Sequence, residues 1–334
     1  MAKQKLDSKE KKLLIKKLID ENKDFLKGKK KYDISDEFGI FKLYKLPFNE
    51  ITFKASDKLL ELLPSKFLKS DEDVKISTKS IKTVDKTKIN LYIFENKKIA
   101  TDKVILYIHG GGFVYRGSKN QFDLCRRFAL DGTYKVVFVD YRLAYNNEFP
   151  TCINDSFSAY KWIIRNKKRL KIDPKKIVLC GDSAGGCLCV DVANRAKKEK
   201  VIPPAYMMLL YPVLDKRMNT ESIKKYTNTP IWNSVLNKKM WELYLKDVEY
   251  TSPNELEDMT HLPNAYIETA EFDCLHDEAV DFASKLKKCG KNVILNETKH
   301  TMHGFDMKEC KITEEAIEER LEILKKVFKK EKSR

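Results

Sequence analysis

The chain has 334 residues, of which 42% are hydrophobic and 34% are charged, and its formal net charge at pH 7 is +16. This length and composition allow one large buried core, in one domain or in one domain with a smaller addition. The basic balance could serve a nucleic acid or an anionic membrane, but the lysines are spread along the whole chain and accompany no aromatic-basic motif. We therefore expect a solvated surface and no nucleic-acid partner.

The N-terminal sequence and the cysteines indicate in which cellular compartment the protein functions. The chain is charged from Lys3 onward, and no apolar run approaches the ~20 residues that span a bilayer. Most of the eight cysteines lie in predicted apolar strands or helices, which favours core residues over a disulfide framework. Cys187 and Cys189 face different ways on a predicted helix, so we expect no metal there. These patterns predict a soluble cytoplasmic protein without stable membrane insertion.

Two helical segments are predicted before the first strand. Apolar residues recur at helical spacing from Ser8 to Lys27, which indicates an amphipathic helix. We expect it to pack on the body of the protein, and a membrane surface is the alternative. A second helical stretch, Asp57 to Leu68, is interrupted by Pro64.

After these segments, β-rich runs alternate with helical ones. Eight strands are predicted, near Val74–Lys79, Asn90–Phe94, Val104–His109, Val136–Tyr141, Ile177–Cys180, Tyr206–Tyr211, Ala265–Thr269 and Asn292–Glu297. Helices are predicted over Gln121–Leu130, Asn154–Asn166, Ala184–Lys198, Asp277–Lys288 and Thr313–Lys330. Such alternation predicts an α/β fold with a mostly parallel sheet covered by helices on both faces.

The alternation lapses between Pro212 and Leu262, in a longer insert with helical character from Asn237 to Lys246. We interpret the chain as an N-terminal helical cap segment at 1–55, a core at 56–211 and 263–334, and a cap insert at 212–262. The cap parts are not needed for the sheet, so they are candidates for a lid.

One short motif carries a candidate nucleophile. Gly181-Asp182-Ser183-Ala184-Gly185 follows a predicted strand and opens the next helix. This G-x-S-x-G pattern is typical of a nucleophile elbow, in which glycines permit a sharp turn that presents the Ser183 hydroxyl over a helix N-terminus. The five-residue pattern alone also fits a plain strand-to-helix turn.

A second motif, His109-Gly110-Gly111-Gly112-Phe113, directly follows another predicted strand. A plain turn at Ser183 would not require it. Successive glycines leave backbone N–H groups open to an oxyanion, so we expect those of Gly111, Gly112 and Ala184 to form an oxyanion hole. A flexible linker is the alternative, and His109 is expected to brace the loop without transferring protons.

A serine nucleophile needs a base, and the base needs an orienting carboxylate. His303 follows the last predicted strand and is the preferred base, with His300 as its competitor. Asp273 follows the preceding strand and is the preferred acid, with Glu271 and Asp277 as rivals. The chain order is then Ser, Asp, His.

With these residues assembled, the chain resembles the hormone-sensitive-lipase-like family of α/β-hydrolases, which includes acetyl esterases and arylacetamide deacetylases. The resemblance covers about Lys103 to Phe305. It rests on seven runs in order: His109 to Phe113, Asp140 to Ala144 with Phe149-Pro150, Ile172-Asp173-Pro174, Gly181 to Gly186, Tyr211-Pro212, Asp273 to Glu278, and His303-Gly304-Phe305. The family usually has Pro at Tyr145, Pro at Cys274 and Arg at His276, so the loop shape and the pocket differ in detail.

The resemblance implies a serine carboxylesterase of the α/β-hydrolase fold that acts on short-chain acyl esters without a metal or organic cofactor. Ser183, Asp273 and His303 would form the triad, under a cap that supplies aromatic bulk. We expect Phe113 at the mouth of the pocket and Trp232 beside the substrate, with Phe48 and Trp241 as further aromatic candidates. An amidase or deacetylase on aryl amides, and a non-catalytic ligand-binding receptor, are the alternatives. The sequence leaves a homodimer open.

Overall fold

The computed structural model describes residues 32–62 and 67–329, so the predicted helix Ser8–Lys27 and Pro64 lie outside the described residues. The eight predicted strands are all present. They are β1 (Val74–Lys82), β2 (Lys88–Asn96), β3 (Val104–Ile108), β4 (Lys135–Asp140), β5 (Ile177–Asp182), β6 (Tyr206–Leu210), β7 (Asn264–Phe272) and β8 (Val293–Met302).

The strands form one sheet in the order β1-β2-β4-β3-β5-β6-β7-β8. β2 pairs antiparallel with β1 and β4, and every other pair is parallel. Because the parallel strands point the same way, their carboxyl ends share one edge of the sheet, where ligands bind in folds of this kind. The predicted α/β fold with a mostly parallel sheet is confirmed.

Helices cover both faces of the sheet. The described helices are α1 (Glu50–Leu62), α2 (Lys119–Leu130), α3 (Thr151–Arg165), α4 (Lys167–Leu170), α5 (Ala184–Lys198), α6 (Glu221–Lys225), α7 (Ser234–Leu245), α8 (His276–Lys288) and α9 (Lys311–Val327). One core contains Phe157, Leu188 and Phe282 of α3, α5 and α8. The opposite core contains Phe128 of α2 and Leu321 of α9. Among the described residues, no helix has the length and apolar character needed to cross a membrane.

Two elements differ from their predicted bounds by five residues or more, and the other predicted elements within the described residues differ by less. α1 begins at Glu50 instead of Asp57, because the side chain of Asn49 accepts a hydrogen bond from the Thr52 N–H (3.0 Å) and caps the first turn. α1 therefore crosses the expected boundary between residues 55 and 56. β8 continues past Glu297 to Met302, which pairs with Phe272 of β7 beyond a bulge.

The N-terminal segment and the insert meet above the edge where the parallel strands end. The Ile231 N–H donates to the Tyr44 carbonyl (2.7 Å), and Lys45 and Ile231 form an isolated parallel β-bridge. Phe48 packs edge-to-face on Trp232, with ring centroids 5.9 Å apart. These contacts join two parts of the chain that are far apart in sequence.

Candidate active site

Ser183 occupies the sharp turn between β5 and α5. Its φ of 52° and ψ of −120° are strained for a residue with a side chain, which is typical of a nucleophile elbow. The turn is held by two hydrogen bonds, from Ser183 N–H to the Leu210 carbonyl (2.8 Å) and from Gly186 N–H to the Ser183 carbonyl (2.9 Å). A Cβ on Gly185 would lie 1.9 Å from the Ile108 carbonyl oxygen, so only glycine lets α5 start this close to β3.

A continuous hydrogen-bond chain connects Ser183, His303 and Asp273. His303 Nε2 lies 2.9 Å from Ser183 Oγ, and His303 Nδ1 lies 2.6 Å from Asp273 Oδ2. An ionised carboxylate only accepts, so Nδ1 carries the proton and Nε2 accepts from the serine hydroxyl. All three residues are buried. The structure thus brings the three predicted residues together in the arrangement of a Ser-His-Asp triad.

The Asp273 carboxylate is itself fixed. Its Oδ1 accepts a hydrogen bond from the Leu275 N–H at 3.0 Å. Asp273 directly follows β7 and His303 directly follows β8, and these neighbouring parallel strands end at the same edge of the sheet. The topology therefore delivers both side chains to the serine.

The rival residues have other partners. Glu271 accepts from the His300 N–H (2.8 Å), and Asp277 accepts from the Ser222 N–H (2.7 Å). His300 lies in β8 with its side chain 55% exposed, and it contacts Asp33 of the N-terminal segment. None of these side chains takes part in the hydrogen-bond chain at Ser183.

The glycine loop that follows β3 lies against the elbow, and both carry backbone N–H groups that can donate to a ligand's oxygen. Gly111 and Gly112 have φ values of 107° and 58°. Within the described part of the chain, the N–H groups of Gly111, Gly112 and Ala184 have no hydrogen-bond acceptor. Ala184 is also the first residue of α5, where the helix dipole favours negative charge. Unused donors beside a serine can stabilise an oxyanion.

Asp182 connects the elbow to the glycine loop. Its buried carboxylate accepts from the Tyr107 hydroxyl (2.8 Å), the Gly110 N–H (3.0 Å) and the Gln121 amide (2.7 Å). Burial raises the pKa of this carboxyl above its ordinary value. No local sequence pattern marks this link, since the partners of Asp182 lie on β3, the loop and α2.

His109 braces the start of the loop. Its ring stacks between Phe138 and Tyr141, with centroids 5.3 and 4.1 Å away, and its Nδ1–H donates to the Gly110 carbonyl (2.8 Å). Burial lowers the pKa of His109 to about 3. The ring is therefore neutral at physiological pH and remains a structural support.

A cavity of about 350 Å³ opens beside Ser183 and His303. The N-terminal segment contributes Tyr44 and Leu46 to its lining, and the insert contributes Ile231 and Trp232. Sequence reasoning missed the first three of these residues, because no local pattern marks them. Trp232 lines the cavity next to the triad: the centroid of its ring is 6.0 Å from that of the His303 ring, and its indole N–H donates to Asn237 (3.2 Å).

The other aromatic expectations need correction. Phe113 is fully buried and stacks on Tyr244, with centroids 3.8 Å apart, and it does not line the cavity. Its expected position at the mouth is wrong, because a φ of 62° turns the side chain into the core. Trp241 packs behind it, 6.1 Å away. Phe48 does not line the cavity itself, and it packs on Trp232, which does.

Two residues that line the cavity, Tyr115 and Arg116, form polar and charged contacts with the N-terminal part of the chain. Arg116 lines the cavity and forms ion pairs with Asp140 (2.7 Å) and with Asp57 of α1. The Tyr115 hydroxyl donates to the Pro47 carbonyl. The residues after the glycine loop thus hold the N-terminal segment in place over the site.

A mostly parallel eight-stranded sheet with a strained serine after its fifth strand defines an α/β hydrolase. The model of the alpha/beta hydrolase fold family matches residues 105–307. The chain belongs to this family, and the resemblance to its hormone-sensitive-lipase-like members is confirmed.

Several proteins of known activity are similar to the chain. Ethyl acetate hydrolase of Pseudomonas putida is 29% identical over 264 residues, which cover 75% of this chain and 81% of that protein. Esterase LipI of Mycobacterium tuberculosis is 29% identical over 208 residues, which cover 60% of this chain and 65% of LipI, so the chain spans slightly less than two thirds of that relative. The solved structure of a bacterial heroin esterase matches with a TM-score of 0.78 and 26% identity, over 89% of this chain and 99% of that one.

Proposed function

We propose that the chain is a serine carboxylesterase that hydrolyses short-chain acyl esters through an acyl-enzyme on Ser183. The observation that carries the proposal is the buried hydrogen-bond chain from Ser183 through His303 to Asp273. Beside it lie a cavity and three backbone donors that have no acceptor among the described residues. The relatives named as an esterase and an ethyl acetate hydrolase support an ester as the substrate.

In the proposed reaction, the Ser183 oxygen attacks the ester carbonyl while His303 Nε2 takes the hydroxyl proton. Asp273 stabilises the imidazolium through its 2.6 Å contact with Nδ1. The N–H groups of Gly111, Gly112 and Ala184 hold the oxyanion of the tetrahedral intermediate.

His303 then donates its proton to the departing alcohol, and the acyl group remains on Ser183. A water molecule attacks the acyl-enzyme and gives its proton to the same Nε2 atom. The second tetrahedral intermediate collapses as His303 returns this proton to the Ser183 oxygen, which releases the carboxylic acid and free Ser183. The first proton transfer joins two atoms that are already 2.9 Å apart, Ser183 Oγ and His303 Nε2.

The size of the cavity supports a small substrate. About 350 Å³ lies near the lower end of the ~300 to 1,000 Å³ found for ligand pockets, and Trp232 is nearly fully buried at its wall. We further propose that the described part of the N-terminal segment, 32–55, and the insert 212–262 act together as the cap. The bridge between Lys45 and Ile231 above the cavity supports this assignment.

We also propose a cytoplasmic location. All eight cysteines have free thiols, and six of them are buried. Free thiols are typical of proteins that function in a reducing compartment. Cell fractionation of the tagged full-length protein tests the proposal, and recovery of the tag in a secreted or membrane fraction would contradict it.

The activity is tested with p-nitrophenyl esters of increasing acyl length, assayed on the parent and on Ser183→Ala. We expect the highest kcat/KM for the shortest chains, and a fall of several orders of magnitude in the variant. p-Nitroacetanilide, assayed alongside, distinguishes the amidase alternative. A parent without activity on any ester, or a Ser183→Ala variant equal to the parent, would refute the proposal.

A further inference from the structure

A buried cluster of charges behind the active site has no part in the proposed reaction. Arg320 of α9 is fully buried, and its guanidinium uses three nitrogens. Nε and Nη2 donate to the two carboxylate oxygens of Glu268 at 3.0 and 2.5 Å, and Nη1 donates to Asp306 at 2.8 Å. Glu268 lies in β7, and Asp306 lies three residues after His303.

Such a cluster of buried charges is not expected to add much to the free energy of unfolding. Burying charges in the interior carries a desolvation cost that their mutual attraction often fails to offset, and a well-packed apolar group is commonly as good. A buried polar network with every member satisfied does fix geometry, because each hydrogen bond specifies a direction and a distance. The relevant question is therefore what the cluster holds in place.

Asp306 connects the cluster to the catalytic histidine. It lies in the short turn Phe305–Met307, which begins at Gly304 immediately after His303. Its Oδ2 binds Arg320, and its Oδ1 accepts from the Tyr211 hydroxyl at 2.6 Å. Burial raises the pKa of Tyr211 well above its usual value, so this hydroxyl stays protonated and remains a donor.

Tyr211 and Phe305 make further contacts with the loop that carries His303. The Tyr211 ring lies edge-to-face against the His303 ring, with centroids 5.0 Å apart, and it also lines the cavity. Phe305 packs between Tyr211 (5.9 Å) and the Arg320 guanidinium (5.8 Å). The loop that carries His303 is thus anchored on both sides to residues that Arg320 organises.

We infer that Arg320 is a positioning residue for the proposed esterase reaction: through Asp306 and Tyr211 it holds His303 within hydrogen-bond distance of both Ser183 and Asp273. The inference rests on the proposed function. It assigns no chemical step to Arg320, whose hydrogen bonds go to Glu268 and Asp306 and not to the triad residues.

The test compares Arg320→Met with Lys325→Met, a matched loss of a cation from the same helix. Lys325 pairs with Glu322 (2.8 Å) and belongs to no buried cluster among the described residues. kcat and KM for p-nitrophenyl acetate are measured per active site, counted by titration to completion with diethyl p-nitrophenyl phosphate. Because misfolded protein is not titrated, a loss of stability alone leaves kcat per titrated site unchanged.

We expect kcat per titrated site of Arg320→Met to fall at least about ten-fold while KM changes less than about two-fold, since a displaced base slows chemistry more than binding. Lys325→Met should match the parent. Asp306→Asn, which keeps the shape of the side chain, tests the same link if Arg320→Met yields too little folded protein, and the same fall in kcat is expected.

The inference is overturned if the folded Arg320→Met and Asp306→Asn variants keep kcat per titrated site within about two-fold of the parent. In that case the cluster only supports the fold. A parent that hydrolyses no ester is a different result, because it refutes the proposed function itself and removes the reaction that Arg320 would serve.

Discussion

A methyl group added to Gly112 should damage the proposed oxyanion hole more than the fold. Gly112 has a φ of 58°, where a residue with a Cβ costs roughly 1–2 kcal/mol. The new Cβ would lie 2.9 Å from Trp232 Cη2, well inside the ~3.5–4.0 Å of an ordinary carbon contact. Either the loop or the indole must therefore move by roughly half an ångström or more.

The expected effect is on the rate of the chemical step. If the shift removes one N–H donor from the oxyanion, Gly112→Ala loses about 2.7–4 kcal/mol of transition-state stabilisation, or about 10²- to 10³-fold in kcat. KM should change much less, because the donors act on the transition state more than on the bound ester. kcat and KM for p-nitrophenyl acetate, measured per titrated site, check this prediction.

Gly290→Ala is the matched control. Gly290 has a φ of 75°, so alanine meets a similar backbone strain, but its Cβ would have no atom within 4 Å. The control should lose a few degrees of Tm and keep the parent kcat. The reasoning is refuted if Gly112→Ala keeps the parent kcat, or if Gly290→Ala loses activity to the same extent.

Two further predictions concern pH and acyl length. Burial raises the pKa of Asp191 to about 7 from an ordinary 3.8, so the folded protein holds a proton there that the unfolded chain releases, and stability falls as pH rises between those values. Asp191→Asn removes this pH-dependent loss of stability, and the Tyr250 hydroxyl can still donate to the new side chain. In thermal unfolding at several pH values, the Tm of the variant minus the Tm of the parent should therefore increase from pH 5 to pH 8. A difference that stays constant with pH would contradict this. Trp232→Ala should enlarge the cavity beside His303 and raise the ratio of kcat/KM for hexanoate to that for acetate by about ten-fold, whereas an unchanged ratio would mean that the indole does not limit the acyl chain.

The fold was predictable because its central strands are marked by composition. Val104–Ile108 is apolar at every position and buried at every position, as expected of a parallel strand covered on both faces. The end of β8 was not predictable in the same way. Its residues from Asn296 to His300 are polar and partly or fully exposed, so only the pairing with β7 reveals that the strand continues to Met302.

The residues of the candidate triad were predictable because each follows a strand, and parallel strands deliver their ends to one edge. The surroundings of the triad were not, since they depend on contacts between distant parts of the chain. Tyr44 and Ile231 meet above the cavity, although no local pattern links them. Phe113 is the converse case: it adjoins Gly112 in sequence, yet its positive φ points the ring away from the cavity and into the core.

The central claim is that Ser183 is the residue that becomes acylated. Intact-protein mass spectrometry after reaction with diethyl p-nitrophenyl phosphate should show one added diethyl phosphoryl group, and peptide mapping should locate it on Ser183. The reaction should be abolished in Ser183→Ala and strongly slowed in an Asp273→Asn variant, in which the His303 imidazolium loses its carboxylate partner. A phosphoryl group on another residue, or an undiminished reaction in Ser183→Ala, would contradict the account.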